Sequence, residues 1–198
     1  VTHQPTLSAH GFSPKASLAW QPDKLWTMRL SFGQAWRFPT VGELYQIVTS
    51  PFVAVPNPNL KPELARSEEL AIERKDGHGT IRLSLFIEVV TDALISQLGT
   101  LGGLPATFVQ NVDRTRARGV ELAFQRTDLL PRFDLSGSLT YADAETRKDP
   151  AMPMAVGKLL PQVPHWKATV VATWRPVDRL ALTAALRYAS RNYGTIDN

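Results

Sequence analysis

From Ile81 to Val89 every odd position is apolar, while Arg82, Ser84 and Glu88 hold even ones. A period of two sends alternate side chains to opposite faces, so the segment predicts a strand with one apolar face. The pattern recurs. Trp26, Met28, Leu30 and Phe32 alternate with Thr27, Arg29, Ser31 and Gly33, and Leu70 and Ile72 with Glu69, Ala71 and Glu73. Val120, Leu122 and Phe124 alternate with Glu121 and Gln125, and Phe133, Leu135, Leu139 and Tyr141 with Asp134, Ser136, Ser138 and Thr140. Ala168, Val170, Ala172 and Trp174 alternate with Lys167, Thr169 and Thr173, and Leu180, Leu182, Leu186 and Tyr188 with Thr183 and Arg187. With a first strand near Pro14 to Trp20, the chain predicts an all-β fold of about eight strands and no helix. Several strands reach the ~9–11 residues of a tilted membrane strand, beyond the ~5–6 residues usual in globular sheets.

The connections sort by length. Gln21 to Lys24, Asp76 to Gly79, Thr127 to Arg132 and Arg175 to Asp178 are short and rich in turn residues. Between them fall longer links, Gln34 to Arg66, Leu98 to Ala106 and Thr146 to Pro164. Strict alternation of short and long is expected of an antiparallel membrane barrel, with tight turns at one end and large loops at the other. Trp20 and Trp26 flank the first short turn and Trp174 precedes the last, positions that suit an interfacial girdle.

Composition agrees without adding a second signal. Of 198 residues 43% are hydrophobic and 20% charged, and no apolar run approaches the ~20 residues of a membrane helix. A mean hydropathy of -0.14 is compatible with a barrel, because inward polar and outward apolar residues cancel. The absence of cysteine excludes disulfides and thiolate metal sites. The net charge of +4 comes from scattered Lys and Arg with no basic run, which argues against a nucleic-acid partner.

No catalytic constellation emerges, and no cofactor or metal site is expected. His3, His10, His78 and His165 lack ligand spacing, and Glu68 and Glu69 point to opposite faces of their strand. Gly99, Gly102 and Gly103 precede no helix, so they form no phosphate cradle. Arg29, Arg82, Glu88, Glu121, Lys167 and Arg187 share the polar parity and are expected to face a lumen. Arg114, Arg116 and Arg118 share parity with apolar Val120 and Leu122. A charge on lipid at mid-depth costs ~2–4 kcal/mol. Either a bulge near Gly119 turns at least Arg116 to the lumen, or all three lie at the rim.

A series of motifs carries a family resemblance. Gln34-Ala35-Trp36-Arg37-Phe38-Pro39-Thr40-Val41-Gly42-Glu43-Leu44-Tyr45 opens the first long link, and Asn57-Pro58-Asn59-Leu60-Lys61-Pro62-Glu63 closes it. Then follow Asn111-Val112-Asp113, Arg118-Gly119-Val120-Glu121-Leu122, Leu139 to Ala144, and Leu160-Pro161-Gln162-Val163-Pro164 before Trp166. In this order they resemble the barrel domain of TonB-dependent outer-membrane receptors, over essentially the whole chain, residues 1–198.

The resemblance implies a transporter, not an enzyme, set in the lipid of the bacterial outer membrane. A metal chelate (ferric siderophore, haem, cobalamin or similar) binds at the extracellular loops of such receptors. A partner TonB complex then rearranges a plug domain inside a barrel of about 22 strands. The chain is read as a segment from the C-terminal half of that barrel, with plug, TonB-contacting part and final strands outside it. Val1-Thr2-His3-Gln4-Pro5 has no signal-peptide character, and Thr195 to Asn198 is expected within an extracellular loop. Arg37, Tyr45 and Arg116 are the candidate substrate contacts. The residues themselves leave two other architectures open, a self-contained eight-stranded outer-membrane barrel with a structural or adhesive role and a soluble β-sandwich binding module.

Overall fold

The computed structural model describes residues 10–45 and 53–198, so His3 and the first five residues lie outside it. Nine strands form one sheet: β1 (Lys15–Trp20), β2 (Trp26–Arg37), β3 (Val53–Val55), β4 (Glu63–Asp76), β5 (Gly79–Leu101), β6 (Leu104–Leu130), β7 (Phe133–Lys148), β8 (Trp166–Val177) and β9 (Leu180–Ala189). The eight long strands pair antiparallel in chain order, as the alternation predicts. Two features were not expected. A short helix, α1 (Val41–Tyr45), and the parallel strand β3, paired with β6, both stand in the first long link.

Register carries the two faces across the sheet. Leu18, Leu30, Leu70, Leu85, Val120, Tyr141 and Trp166 are successive cross-strand neighbours on the apolar face. One residue along, Ala19, Arg29, Ala71, Ser84, Glu121, Thr140, Lys167 and Ala189 form the matching row on the polar face. The apolar face is bare: Leu18 is 72% and Leu186 71% exposed. No second sheet covers it among the described residues, and Trp20, Trp26 and Trp174 are all exposed. A soluble sandwich would bury these groups, and a bare apolar face this wide needs lipid or a partner.

The sheet is open. Among the described residues β1 pairs only with β2 and β9 only with β8, so the strands do not close into a small barrel of their own. Their slant is that of a barrel wall. Following register from Trp26 through Arg74, Ile81, Phe124 and Gly137 reaches Val170, four residues short of Trp174. If both tryptophans mark one membrane surface, the strands climb about 13 Å over about 24 Å of sheet width. That gives a tilt of about 30°, close to the 35–45° of closed barrels.

Three connections at the short-turn end are two residues long, Gly77-His78, Pro131-Arg132 and Asp178-Arg179. The first has five residues, and Asp23 accepts the Leu25 and Trp26 amides to shape it (2.7 and 2.9 Å). At the other end the expected long link from Leu98 to Ala106 is not a loop. Strands β5 and β6 run on for 23 and 27 residues and meet at Gly102-Gly103. Both glycines have positive φ (59° and 83°), the backbone a tight two-residue hairpin turn demands. Loop length therefore sorts by end less strictly than the sequence suggests, because one hairpin extends far past the others.

The expected register shift at Gly119 is absent. Phe86↔Gly119 and Gly119↔Ala142 lie inside unbroken ladders. One irregularity falls lower, between Arg126 and Leu130 at the short-turn end, and the others near the arginines fall higher. Asp92 and Asp113 are skipped between β5 and β6, and the β6–β7 register slips between Arg114 and Thr115. Arg116 and Arg118 thus stay on the apolar parity, opposite Glu145 and Asp143. They stand one and two steps beyond Tyr141 and Trp166 toward the long-loop end, which is the rim placement. On β6 the apolar stretch Val120–Phe124 is bracketed by Arg118, paired with Asp143, and Arg126, paired with Asp76, which also takes Arg74.

Candidate functional site

The long-loop end is built from the first link, the β5–β6 hairpin and the segment after β7. Pro39 cannot donate to a ladder and ends β2. Thr40 then caps α1 reciprocally with Glu43. The Glu43 amide donates to Thr40 Oγ1 (3.2 Å), and the Thr40 amide donates to Glu43 Oε2 (2.7 Å). This Thr-x-x-Glu exchange is a capping box. Arg37 Nη2 donates to the other carboxylate oxygen, Oε1, at 2.7 Å. Burial pushes the Glu43 carboxyl up, but the Thr40 amide, the Arg37 guanidinium and the Thr40 hydroxyl outweigh it and hold its pKa below the ordinary carboxylate value.

The second motif fastens this link to the hairpin. The Asn57 amide donates to the Glu43 carbonyl (2.9 Å), tying it to α1, and Asn57 Nδ2 reaches the Val109 carbonyl (3.4 Å). Asn111 accepts the Lys61 amide (2.8 Å) and donates Nδ2 to the Lys61 and Asp92 carbonyls (3.0 and 2.7 Å). Glu63 Oε2 accepts the Leu94 amide at 2.7 Å. Asp92 has a left-handed backbone (φ 52°) where the ladder is skipped. These side chains thus satisfy the backbone groups that the skip frees. Leu44 and Leu60 are buried beneath.

Beyond Asp92 the hairpin carries no charged residue from Ala93 to Val112. Ala93 and Val112 pack with Ala155 and Ile196 in a small core that joins the hairpin, the segment after β7 and the chain's last residues. Gln162 donates its amide to the Tyr193 carbonyl (2.8 Å), which keeps those last two parts together.

On the polar face of the sheet, Glu69 accepts from Arg82 Nη2 (2.5 Å) and from Ser84 (2.9 Å), and Glu121 accepts from Thr140 (3.1 Å). A hollow of about 570 Å³ lies above this group, where Ser31, Gly33 and Ser67 are small beside Glu69, Phe86 and Glu88. Arg29, Arg82, Glu88, Glu121, Lys167 and Arg187 all occupy this face by register, as the parity predicts.

The three candidate contacts are not brought together as one site. Arg37 serves Glu43, Tyr45 ends α1 and is exposed, and Arg116 is ion-paired with Glu145 on the apolar parity. The expectation that a bulge carries Arg116 inward is corrected by the continuous register. Sequence reasoning missed Glu63 and Asn111 as the braces of the hairpin. The uncharged run from Ala93 to Val112, unused in that reading, is the sequence signal that sets the hairpin apart.

The model of the family described as TonB dependent receptor-like, beta-barrel, matches residues 2–198. An iron-regulated outer membrane virulence protein of Vibrio cholerae serotype O1 is 26% identical over 96% of this chain and 30% of its own length. A probable hemoglobin and hemoglobin-haptoglobin-binding protein of Haemophilus influenzae is 27% identical over 80% of this chain and 16% of its own length. The chain thus spans about a third or less of these relatives. Among solved structures, the copper transporter OprC superposes with a TM-score of 0.70 at 20% identity, covering 94% of this chain and 28% of that one. The ferric enterobactin receptor of Pseudomonas aeruginosa superposes at 0.69 with 18% identity, over 90% and 28%. These last two likenesses speak for the fold. A single tilted sheet with a bare apolar face, a polar face and a built-up loop end, matched end to end by one family model, places the chain in the TonB-dependent receptor β-barrel family of the bacterial outer membrane.

Proposed function

We infer that the chain is part of the wall of a receptor that takes up a metal chelate by energised transport. The observation that carries this reading is the division of labour across one sheet: apolar on one face, charged on the other, with loops knitted together at one end. The apolar face meets lipid, and the loop end meets the extracellular ligand. The polar face, with its hollow beside Glu69 and Glu88, receives the receptor's own plug domain. A TonB complex acts on that plug from the periplasm. The chelate class includes ferric siderophores, haem and cobalamin, and the relatives' names favour iron-bearing cargo. Within this reading Tyr45 and Arg37 present α1 to the ligand, and Arg116 contributes charge at the rim.

The test is uptake by cells whose only receptor for a given chelate is the full-length protein. Labelled ferric siderophore, haem and cobalamin are supplied in turn, with and without a protonophore. Accumulation of one of them that collapses with the proton motive force supports the reading. Accumulation unaffected by the protonophore, or none with any chelate despite a folded surface receptor, overturns it.

A further inference from the structure

The β5–β6 hairpin has two edges above the membrane, and they are not covered alike. On the β6 side, β3 pairs in parallel along Ala106–Phe108, and Asn57 Nδ2 donates to the Val109 carbonyl at 3.4 Å. On the β5 side, β4 pairs no further than Thr91. Above Asp92 the one bond to this edge among the described residues runs from the Leu94 amide to Glu63 Oε2, at 2.7 Å. In an antiparallel pair a residue turns its N–H and C=O to one side, and the sides alternate along the strand. Leu94 turns away from β6, so Ser96, Leu98 and Thr100, in unbroken register beyond it, turn away too. Their partners agree. Val109, opposite Ser96, gives its carbonyl outward to Asn57, and Pro105, opposite Thr100, has no N–H to give.

Strand β4 does not extend along this edge because the chain ahead of it crosses the hairpin. It passes from β3, on the far side of β6, to Glu63, on the near side of β5. Asn111 Oδ1 holds the Lys61 amide on the way (2.8 Å), and Pro58 and Pro62 have no amide for a ladder. The antiparallel place above β4 is thereby vacated. The hairpin itself stays braced, with Ala93 and Val112 packed against Ala155 and Ile196. Proteins ordinarily guard a strand edge with charge, proline or a bulge. Glu63 guards the base at Leu94, but from Ile95 to Leu101 the strand carries neither charge nor proline, and Ser96 and Thr100 are exposed.

We propose that the outer edge of β5 from Ser96 to Thr100 docks an extended, uncharged segment of a protein at the cell surface. The segment adds as an antiparallel strand that continues the β4–β5 ladder. Backbone pairing supplies the contact, and a charged side chain on the incoming strand finds no counter-ion between Ala93 and Val112. A second copy in the same membrane is the wrong occupant. Copies there are related by an axis along the membrane normal, so their β5 strands run in the same direction. The inference rests on the reading that places this hairpin outside the membrane.

Full-length receptor in nanodiscs is titrated with a labelled peptide copying Ala106–Val112, a sequence that already pairs antiparallel with β5, and with its fully N-methylated form. Fluorescence anisotropy reads binding, amide exchange locates it, and heat-modifiable gel migration reports folding of each variant. The unmodified peptide is expected to bind and to slow exchange at Ser96 and Thr100, and the N-methylated form is expected to do neither. Ser96→Pro removes an outward N–H and no bond to β6, and is expected to weaken binding roughly tenfold. Thr100→Lys sets a guarding charge on the edge without touching the backbone, and is expected to weaken it as well. No binding, equal binding of the two peptides, or folded variants with unchanged binding would overturn the proposal. So would slow exchange at Ser96 and Thr100 before any peptide is added, or self-association of the receptor that Ser96→Pro abolishes. Those results leave the wall reading standing; failure of the wall reading shows instead as loss of heat-modifiable folding in the unsubstituted receptor.

Discussion

Phe86 on β5 lies across Gly119 on β6, its ring filling the place where a side chain at 119 would begin. A Cβ built at Gly119 falls 2.6 Å from Phe86 Cζ and 2.1 Å from the Tyr141 carbonyl oxygen. The glycine thus marks a close approach within a regular ladder. Phe124 repeats the device on the opposite face, 3.1 Å from a Cβ built at Gly137. Each ring covers the backbone that its glycine leaves bare, as aromatic partners do for glycines elsewhere in sheets.

Gly119→Ala is therefore expected to destabilise the barrel by about 1–3 kcal/mol, the usual penalty of overpacking. Urea unfolding of the full receptor in detergent micelles measures it. Gly77→Ala is the control, since nothing lies within 4 Å of a Cβ there, and its effect should stay within about 0.5 kcal/mol. Equal effects at both positions would refute the packing account.

Glu43 couples the start of the first loop to pH. Its carboxyl is held below the ordinary value by the Thr40 amide, Arg37 and the Thr40 hydroxyl, against the opposing pull of burial. A depressed folded pKa means that the stabilisation is complete above the ordinary carboxylate value. It is lost as pH falls through the lower, folded one. Amide exchange at Thr40 and Glu43, corrected for its intrinsic pH dependence, should therefore quicken on acidification. Glu43→Gln should quicken it at neutral pH and abolish the acid step. Thr40→Ala should loosen α1 by about 1 kcal/mol at neutral pH, the loss of a helix cap.

Sequence and structure part company in instructive places. The period-two pattern made all eight long strands legible because one face of each is apolar along most of its membrane-spanning length. That constraint fixes side-chain parity, and hence which residues share a face. It vanishes above the membrane. There the Ala93–Val112 hairpin carries glycine, threonine and proline in strand positions, and composition reads as a loop what backbone pairing extends as a ladder. Strand β3 was illegible for a similar reason: three residues give no periodicity, and their parallel partner is some fifty residues away. The arginines of β6 were read correctly in parity, but depth depends on where the aromatic rows fall in register, which no single strand reveals.

Asn111 and Glu63 are expected to control the long hairpin. Asn111→Ala removes the donor to the Asp92 and Lys61 carbonyls, and Glu63→Gln weakens the acceptor of the Leu94 amide. Each loss of about 1–1.5 kcal/mol should raise amide exchange at Leu94 and above roughly tenfold, while exchange at Leu83 and Leu85 stays unchanged. Acceleration spread evenly along β5 would mean that the skip at Asp92 does not divide the strand.

Which face of the sheet meets lipid decides whether this chain is membrane wall. This chain has no cysteine, so single cysteines can be placed from Ile81 to Val89 of the full receptor, with any cysteine outside this chain replaced, and spin-labelled in liposomes. Collision with membrane-dissolved oxygen should peak at 81, 83, 85, 87 and 89, and collision with an aqueous nickel chelate at 82, 84, 86 and 88. A period of two with that phase is the predicted result. The reversed phase, or no alternation, would contradict the claim that this strand is membrane wall.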